Sequence, residues 1–539
     1  AGLYVEGRGV EQDYIMAKSL FSKASAQDDA NGQFGLGTLY HQGFGVPQDY
    51  AEAVRYYQKA AAKGHKDAHY NIAMMLEIGE GVQQNTAEAR KWYEAAANLG
   101  DPHAAYRLGL RLRDEPKFGA SQKDIANWFR IAAEARIPAA QLALAHYLAD
   151  PENVEVFDEE TAFRYYTMAA EAGKTEAQMK VARWLDMGKA AGKDHVSALR
   201  YYEMAAQAGV PEGQYIFGLR LMAGEHTKKN ASLAIFYFKE AARGGSVAAL
   251  GELGKAYYLA EGVDKDIQRA ADLLRRAAAE KDSEANYHLG LLYESGEIGF
   301  IDLDKAIQFY RQADAIARPD ANLRLGRLLF MRGQESDIAE APDFIRKAAD
   351  AGIVDAQFQY ARLLDKGENV SADANLAAVY YKQAAEAGIL QAQLRLAELY
   401  KGERRVAIDP EASFTWYLAA AEQGDASAAY AVGDAYLTGK GVKANRQQAA
   451  FWFEAAALAD FEDAAWRLVQ LMRSDINAAS ENNPAKSNSA YPDYLKLAAD
   501  KNNPEAALLY AQFILQKGVS DEAARQASAY LADAIEAGI

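Results

Sequence analysis

The feature that most constrains this chain is that it repeats itself, because a repeated unit too small to bury its own core must stack on its neighbours. A small residue recurs at Gly32, Ala68, Ala104, Ala140, Ala177, Gly213, Ala249, Ala285, Ala321, Ala356, Ala392, Ala428 and Ala464, so twelve steps cover 432 residues at a mean period of 36. The next equivalent, Ala506, lies 42 residues on, which places a six-residue insertion in one repeat. Ala1 aligns with Gly37, so the chain as given opens partway through a first helix. The division that follows is 1–31 for a partial first repeat, 32–463 for twelve regular repeats, 464–505 for a repeat with an irregular insertion at 474–492, and 506–539 for the last repeat.

Each unit reads as two helices. The first carries small and apolar residues at offsets 0, +2, +4, +5, +7 and +8 from the recurring residue, as in Ala285, Tyr287, Leu289, Gly290, Leu292 and Tyr293, which is helical spacing. The second shows Ala, two aromatics and two Ala, as in Ala53, Tyr56, Tyr57, Ala60 and Ala61, echoed at Ala198, Tyr201, Tyr202, Ala205 and Ala206. Asp49 followed by Glu52 has the form of a capping box. Gly64, Gly100, Gly173, Gly209, Gly388, Gly424 and Gly538 recur where a left-handed residue would end the second helix.

These residues resemble the Sel1-like repeat family, relatives of the tetratricopeptide repeats with a longer unit. The resemblance is carried by LGTLYHQGFGVPQDYAEAVRYYQKAAAKG from Leu36 and VGDAYLTGKGVKANRQQAAFWFEAAALA from Val432, and it extends over essentially the whole chain. It implies an all-α fold: an α/α solenoid, a right-handed superhelix of about fourteen helix-turn-helix repeats whose first helices line a concave surface. It also implies a role in assembling other proteins rather than catalysis.

A Gly-x-Gly-Val loop joins the two helices at Gly7, Gly43, Gly79 and Gly439. Gly-rich loops can cradle phosphate, but a P-loop needs a preceding strand and a following Gly-Lys-Ser/Thr, and these loops have neither. The reading is a tight turn in which glycine supplies positive φ while Val packs back between the helices. The loop degenerates after Arg113, Leu148, Met222 and Tyr400, through drift or through specificity for a partner. The insertion from Ser474 to Pro492, SDINAASENNPAKSNSAYP, lacks helical periodicity and reads as a loop, with a partner-binding segment as the alternative.

Other chemistry is sparse. There is no cysteine, which excludes disulfides and thiolate sites. An excess of 75 Asp and Glu over 59 Lys and Arg, a formal charge of −16, argues against wholesale binding of nucleic acid. No apolar run reaches the length of a membrane span, which is about 18 residues. His65 and His69 are spaced i, i+4, but His65 falls in the turn after Gly64, so a shared metal site is not expected. No nucleophile elbow or His-Glu-x-x-His motif occurs, so no catalytic residue, cofactor or metal is expected.

One pattern stands apart. Offsets +3 and +6 of the first helix lie together on the helical wheel, away from the core positions. From the third full repeat onward they hold Arg107, Lys180, Arg183, Lys255, Arg324, Arg327, Arg362, Arg395 and Arg467 against Glu252, Glu398 and Asp434, nine cations to three acids in a chain with more acid than base. Two readings stand side by side. Either these cations pair with acids of adjacent repeats or solvate a face, or they form an electropositive stripe that receives an acidic protein or peptide, or an anionic polysaccharide.

The expected function is a non-catalytic interaction scaffold or adaptor of the bacterial cell envelope, periplasmic or secreted, with the cytoplasm as the other compartment. The alternatives are an exopolysaccharide secretion scaffold, similar to the periplasmic repeat protein of alginate export, and an adaptor of endoplasmic-reticulum-associated degradation. Sequons at Asn230 and Asn369 keep the adaptor in view.

Overall fold

The computed structural model describes residues 1–539 apart from 314–317, 403–405, 481–490 and 518–519, and describes the backbone alone at 474–480 and 517. Every regular element among the described residues is helical: thirty α-helices and a short 3-10 helix at Pro116–Phe118. The chain forms two compact units, Ala1–Leu273 and Leu274–Ile539, so the division falls within helix Ile267–Ala279. Within each unit the chain is an all-α solenoid in which the extensive packing joins helices adjacent in sequence.

A representative pair is Ala30–Gln42 and Tyr50–Ala61. Asp29 and Asp49 cap the two helices, accepting hydrogen bonds from the Gly32 amide at 2.6 Å and the Glu52 amide at 3.0 Å. Each carboxylate thereby satisfies a donor that the first turn leaves without a helical partner. Asp49 thus makes the forward half of the box expected there, and both halves close at Ser121 and Asp124. The glycines expected to end second helices do so in the left-handed region, with φ of 79° at Gly64 and 86° at Gly173.

The Gly-x-Gly-Val loop is architectural. Gly43 and Gly45 have φ of 71° and 68°. The amides of Gly43 and Phe44 both donate to the Leu39 carbonyl, so neither is left to bind a phosphate. The second glycine also sets the stacking of repeats. A Cβ at Gly45 would lie 2.7 Å from that of Tyr14, and one at Gly81 would lie 2.5 Å from the main chain of Tyr50. Tyr14 and Tyr50 are the first residues of the preceding repeat's second helix, which can approach this closely because glycine carries no side chain.

The aromatic of the second helix fills the space between the pair. Tyr57 is fully buried, and its ring packs against Gly37, where a Cβ would come within 2.6 Å. Tyr56, one residue earlier, is half-buried and stacks on Tyr40 with ring centroids 5.7 Å apart. The residue after the recurring small one is a buried glutamine in several repeats. Gln178 and Gln393 each donate at 3.1 Å to a carbonyl in the last turn of the preceding second helix, Ala170 and Ala385, and so join repeats through a carbonyl that also accepts from the amide of the closing glycine, Gly173 or Gly388.

One expectation changes. Helix Ala464–Ser480 carries the backbone through 474–480 and helix Tyr491–Asp500 begins inside the insertion, so the aperiodic composition there does not prevent helix at either end. The intervening residues 481–490 lie outside the described ones. As the sequence suggests, His65 precedes the next helix, as the N-cap residue of Lys66–Ile78, while His69 lies inside it, and the His69 Nδ1 faces the His65 carbonyl at 2.9 Å.

Candidate partner-binding face

In each unit the first helices carry half-buried and exposed side chains at offsets +3 and +6, with Arg107, Lys180, Arg183 and Lys255 in the first unit and Arg324, Arg327, Arg362, Arg395 and Arg467 in the second. Six of these nine are held by carboxylates. Arg183 pairs with Glu212, Lys255 with Glu252 at 3.6 Å, Arg324 with Glu294 at 3.1 Å and Arg327 with Asp355 at 3.5 Å. Arg395 reaches both Asp365 and Glu398 at 2.6 Å, and Arg467 reaches Asp434 at 3.5 Å. Arg107, Lys180 and Arg362 have no carboxylate partner among the described residues, although Arg362 lies 5.9 Å from the centre of the Phe358 ring. The stripe is therefore largely neutralised by acids of its own and adjacent repeats. Its three unneutralised positions are spread over both units.

Part of this pairing belongs to a recurring inter-repeat station that the stripe pattern alone does not reveal. An acid at offset +9 of a first helix meets the inward tyrosine of its own second helix and an arginine from the next first helix. Glu77 accepts from the Tyr93 hydroxyl at 2.5 Å and pairs with Arg111. Glu294 accepts from Tyr310 at 2.5 Å and pairs with Arg324. Asp365 accepts from Tyr381 at 3.4 Å and from the Arg395 guanidinium at 2.6 and 3.2 Å. Asp186 pairs with Arg220 at 3.2 Å and faces the Tyr202 hydroxyl.

The arginine sits at offset +3 or +7, one helical turn apart on the same face, so either position can reach the acid. Burial, reinforced by the adjacent carboxylate, pushes the Tyr202 hydroxyl up to about 12. The phenols of Tyr93, Tyr310 and Tyr381 are also raised above their ordinary range, by burial first. All four therefore act as neutral donors. A sequence signal for the station exists: acid, then Tyr 16 residues later, then Arg 30 or 34 residues after the acid.

Among the described residues no group of three His, Cys, Asp or Glu is placed to hold a metal ion, and no helix is long and apolar enough to cross a membrane.

Stacked helix pairs in which each repeat closes its neighbour's apolar face define a helical repeat scaffold, a fold typical of protein–protein interaction. The chain belongs to the Sel1 repeat family. The family model, described as Sel1 repeat, matches residues 1–29, 30–65, 66–101, 138–174, 175–210, 211–246, 247–282, 283–313, 319–353, 354–389, 390–425 and 426–461. Residues 102–137 lie outside those segments, and there the 3-10 helix Pro116–Phe118 occupies the linking loop.

Among solved structures, a protective antigen present in uropathogenic Escherichia coli strains and displaying an SLR fold is 23% identical over 96% of this chain and 94% of its own, with a TM-score of 0.35. A Sel1 repeat protein from Oxalobacter formigenes is 22% identical over 72% of this chain and 92% of its own, with a TM-score of 0.33. No curated protein matches the chain.

Proposed function

We propose that this protein is a non-catalytic interaction scaffold of the bacterial cell envelope, periplasmic or secreted, which holds an acidic partner protein on the face formed by its first helices. The observation that carries the reading is the contrast along that face. Six cations are tied into the repeat framework, while Arg107, Lys180 and Arg362 remain without carboxylates and are available to an incoming one. Charges in such positions contribute more to encounter rate and specificity than to affinity. The regular period without long insertions supports the bacterial placement.

The test follows from the pairing. Reversing Arg324 or Arg327 would break pairs with Glu294 and Asp355, so it would confound stability with binding. Arg107→Glu, Lys180→Glu and Arg362→Glu break no such pair, and together they are expected to slow association with the natural partner and flatten its dependence on salt. Unchanged association and salt dependence would reject the face. Fractionation of the native cell tests the compartment, and recovery of the protein only from the cytosol would reject the envelope.

A further inference from the structure

The second glycine of the linking loop has a fixed neighbour. Gly45, Gly81, Gly262 and Gly441 each lie against the first residue of the preceding second helix, respectively Tyr14, Tyr50, Ala231 and Pro410, so a side chain at this position is directed onto the start of that helix. In the loop after helix Pro211–Ala223 the position is taken by His226, which keeps the left-handed conformation with a φ of 58°. The helix start it meets is His195, the first residue of His195–Gln207. The two imidazoles stack across the junction between repeats, with ring centroids 4.6 Å apart and planes 16° from parallel.

Every element around the pair contributes charge. From helix Thr175–Met187, Asp186 meets the His195 Nδ1 at 2.9 Å and the Arg220 guanidinium at 3.2 Å, with the neutral Tyr202 hydroxyl beside it. Arg220, from Pro211–Ala223, also pairs with Glu225 of the His226 loop. Two carboxylates, Asp186 and Glu225, therefore face one guanidinium, and a single imidazolium completes the balance.

No acid is left for a second one. Asp194 is spent on the helix cap, where it accepts from the Ser197 amide at 3.0 Å. Of the cations nearby, Arg183 pairs with Glu212 and Lys189 with Glu159. Lys193, Lys228 and Lys229 are exposed and have no carboxylate partner among the described residues, and the same is true of His226.

We propose that His195 and His226 form an acid-opened latch between consecutive repeats. Histidine is the side chain whose charge ordinarily changes between about pH 5 and 8, and a stacked pair takes up its protons in two linked steps. The first proton goes to His195, where Asp186 supplies the counter-charge, and it leaves a neutral ring on a charged one. The second charges His226 and sets two like charges face to face, which drives the loop at 224–230 off the helix start. The latch is local to one junction of the first unit and stands whether or not the first-helix face holds a partner. A partner seated across this loop edge would sense pH through it.

The experiment is a pH titration of the full chain with 13C-labelled histidine, read by NMR, together with amide exchange read by mass spectrometry. The chain has eight histidines, and His195→Phe and His226→Gly identify the two resonances. Both variants bring in residue types that these positions hold elsewhere, aromatic at Tyr14 and Tyr50 and glycine at Gly45 and Gly81. His226 is expected to titrate below His195 in the parent and to move up by about half a pH unit or more in His195→Phe, where the repulsion is gone. The amides of Gly224, Glu225 and Asn230, which donate to the Arg220 and Leu221 carbonyls, report opening of the loop. Their protection, corrected for the intrinsic pH dependence of exchange, is expected to fall about tenfold or more from about pH 7.5 to about 5, and to hold in both variants. A His226 titration unmoved by His195→Phe, protection of these amides that does not change with pH, or the same acid loss in His226→Gly would overturn the latch.

Discussion

The substitution Arg395→Leu separates a framework cation from a surface one. Arg395 grips Asp365 with two nitrogens, at 2.6 and 3.2 Å, and the Asp365 side chain is only 5% exposed, with Tyr381 as a further donor at 3.4 Å. Removing the guanidinium takes a positive charge and two donors from a buried carboxylate, a change that costs about 3–5 kcal/mol. Arg327→Leu is the control. Its pair with Asp355 is 3.5 Å long and the two side chains are 44% and 64% exposed, so screening by water reduces the expected cost to about 0–1 kcal/mol.

Because a solenoid opens locally, the appropriate assay is hydrogen exchange followed by mass spectrometry, resolved to helices Val354–Lys366 and Leu390–Tyr400. At about 1.4 kcal/mol per factor of ten, Arg395→Leu should accelerate exchange there about a hundredfold or more. Arg327→Leu should stay within about fivefold of the parent. Adding Asp365→Leu to Arg395→Leu should recover much of the loss, because a packed apolar pair can replace a buried ion pair. If Arg395→Leu and Arg327→Leu proved equally mild, the stripe would be a uniformly solvated face and the station argument would be wrong.

Further outcomes can be checked on the same protein. Gly81→Ala combines a φ of 68° with a Cβ 2.5 Å from the Tyr50 main chain, and should cost about 2 kcal/mol or more in denaturant unfolding. Gly64→Ala, with a φ of 79° but open space around the new Cβ, should cost only about 1 kcal/mol, and equal costs would deny the second glycine its role between repeats. Arg136 holds a φ of 61° at an exposed turn, so Arg136→Gly should stabilise by about 1 kcal/mol, and a loss would show that the arginine side chain outweighs the backbone. Burial holds the imidazoles of His65 and His146 below the ordinary histidine range, so the unfolded chain binds more protons in this window. That contribution to stability is complete above the unfolded value of about 6.5 and is lost as pH falls through it. The melting temperature should therefore drop between pH 7.5 and 5.5, less steeply in His146→Gln, and a rise would reverse the sign of the burial argument.

Much of the fold was legible because the repeat amplifies weak local signals. One Ala-x-x-aromatic-aromatic-x-x-Ala-Ala segment is ambiguous, but its return with the Gly32 series fixes both helix faces. The loop glycines were read as turns, and their φ values agree. Their second role, the close approach of Gly81 to Tyr50, depends on a neighbouring repeat and leaves no trace within one unit.

The stripe was legible as an excess of cations at two offsets, but its pairing was not, because Glu294 and Arg324 stand 30 residues apart. A comparison across repeats, with acid, Tyr and Arg tracked together, would have exposed the stations. The insertion misled for a different reason: Asn and Ser lower helix propensity, yet helix Ala464–Ser480 still runs into it.

The central claim, a scaffold that holds its partner on the first-helix face, is tested most directly by affinity capture of the full chain from its native cell with crosslinking and mass spectrometry. The account predicts one reproducible partner whose crosslinks, to Lys180 and to residues near Arg107 and Arg362, fall on first helices. A partner crosslinked only through second helices, such as Tyr50–Ala61 and Ala374–Glu386, would contradict it.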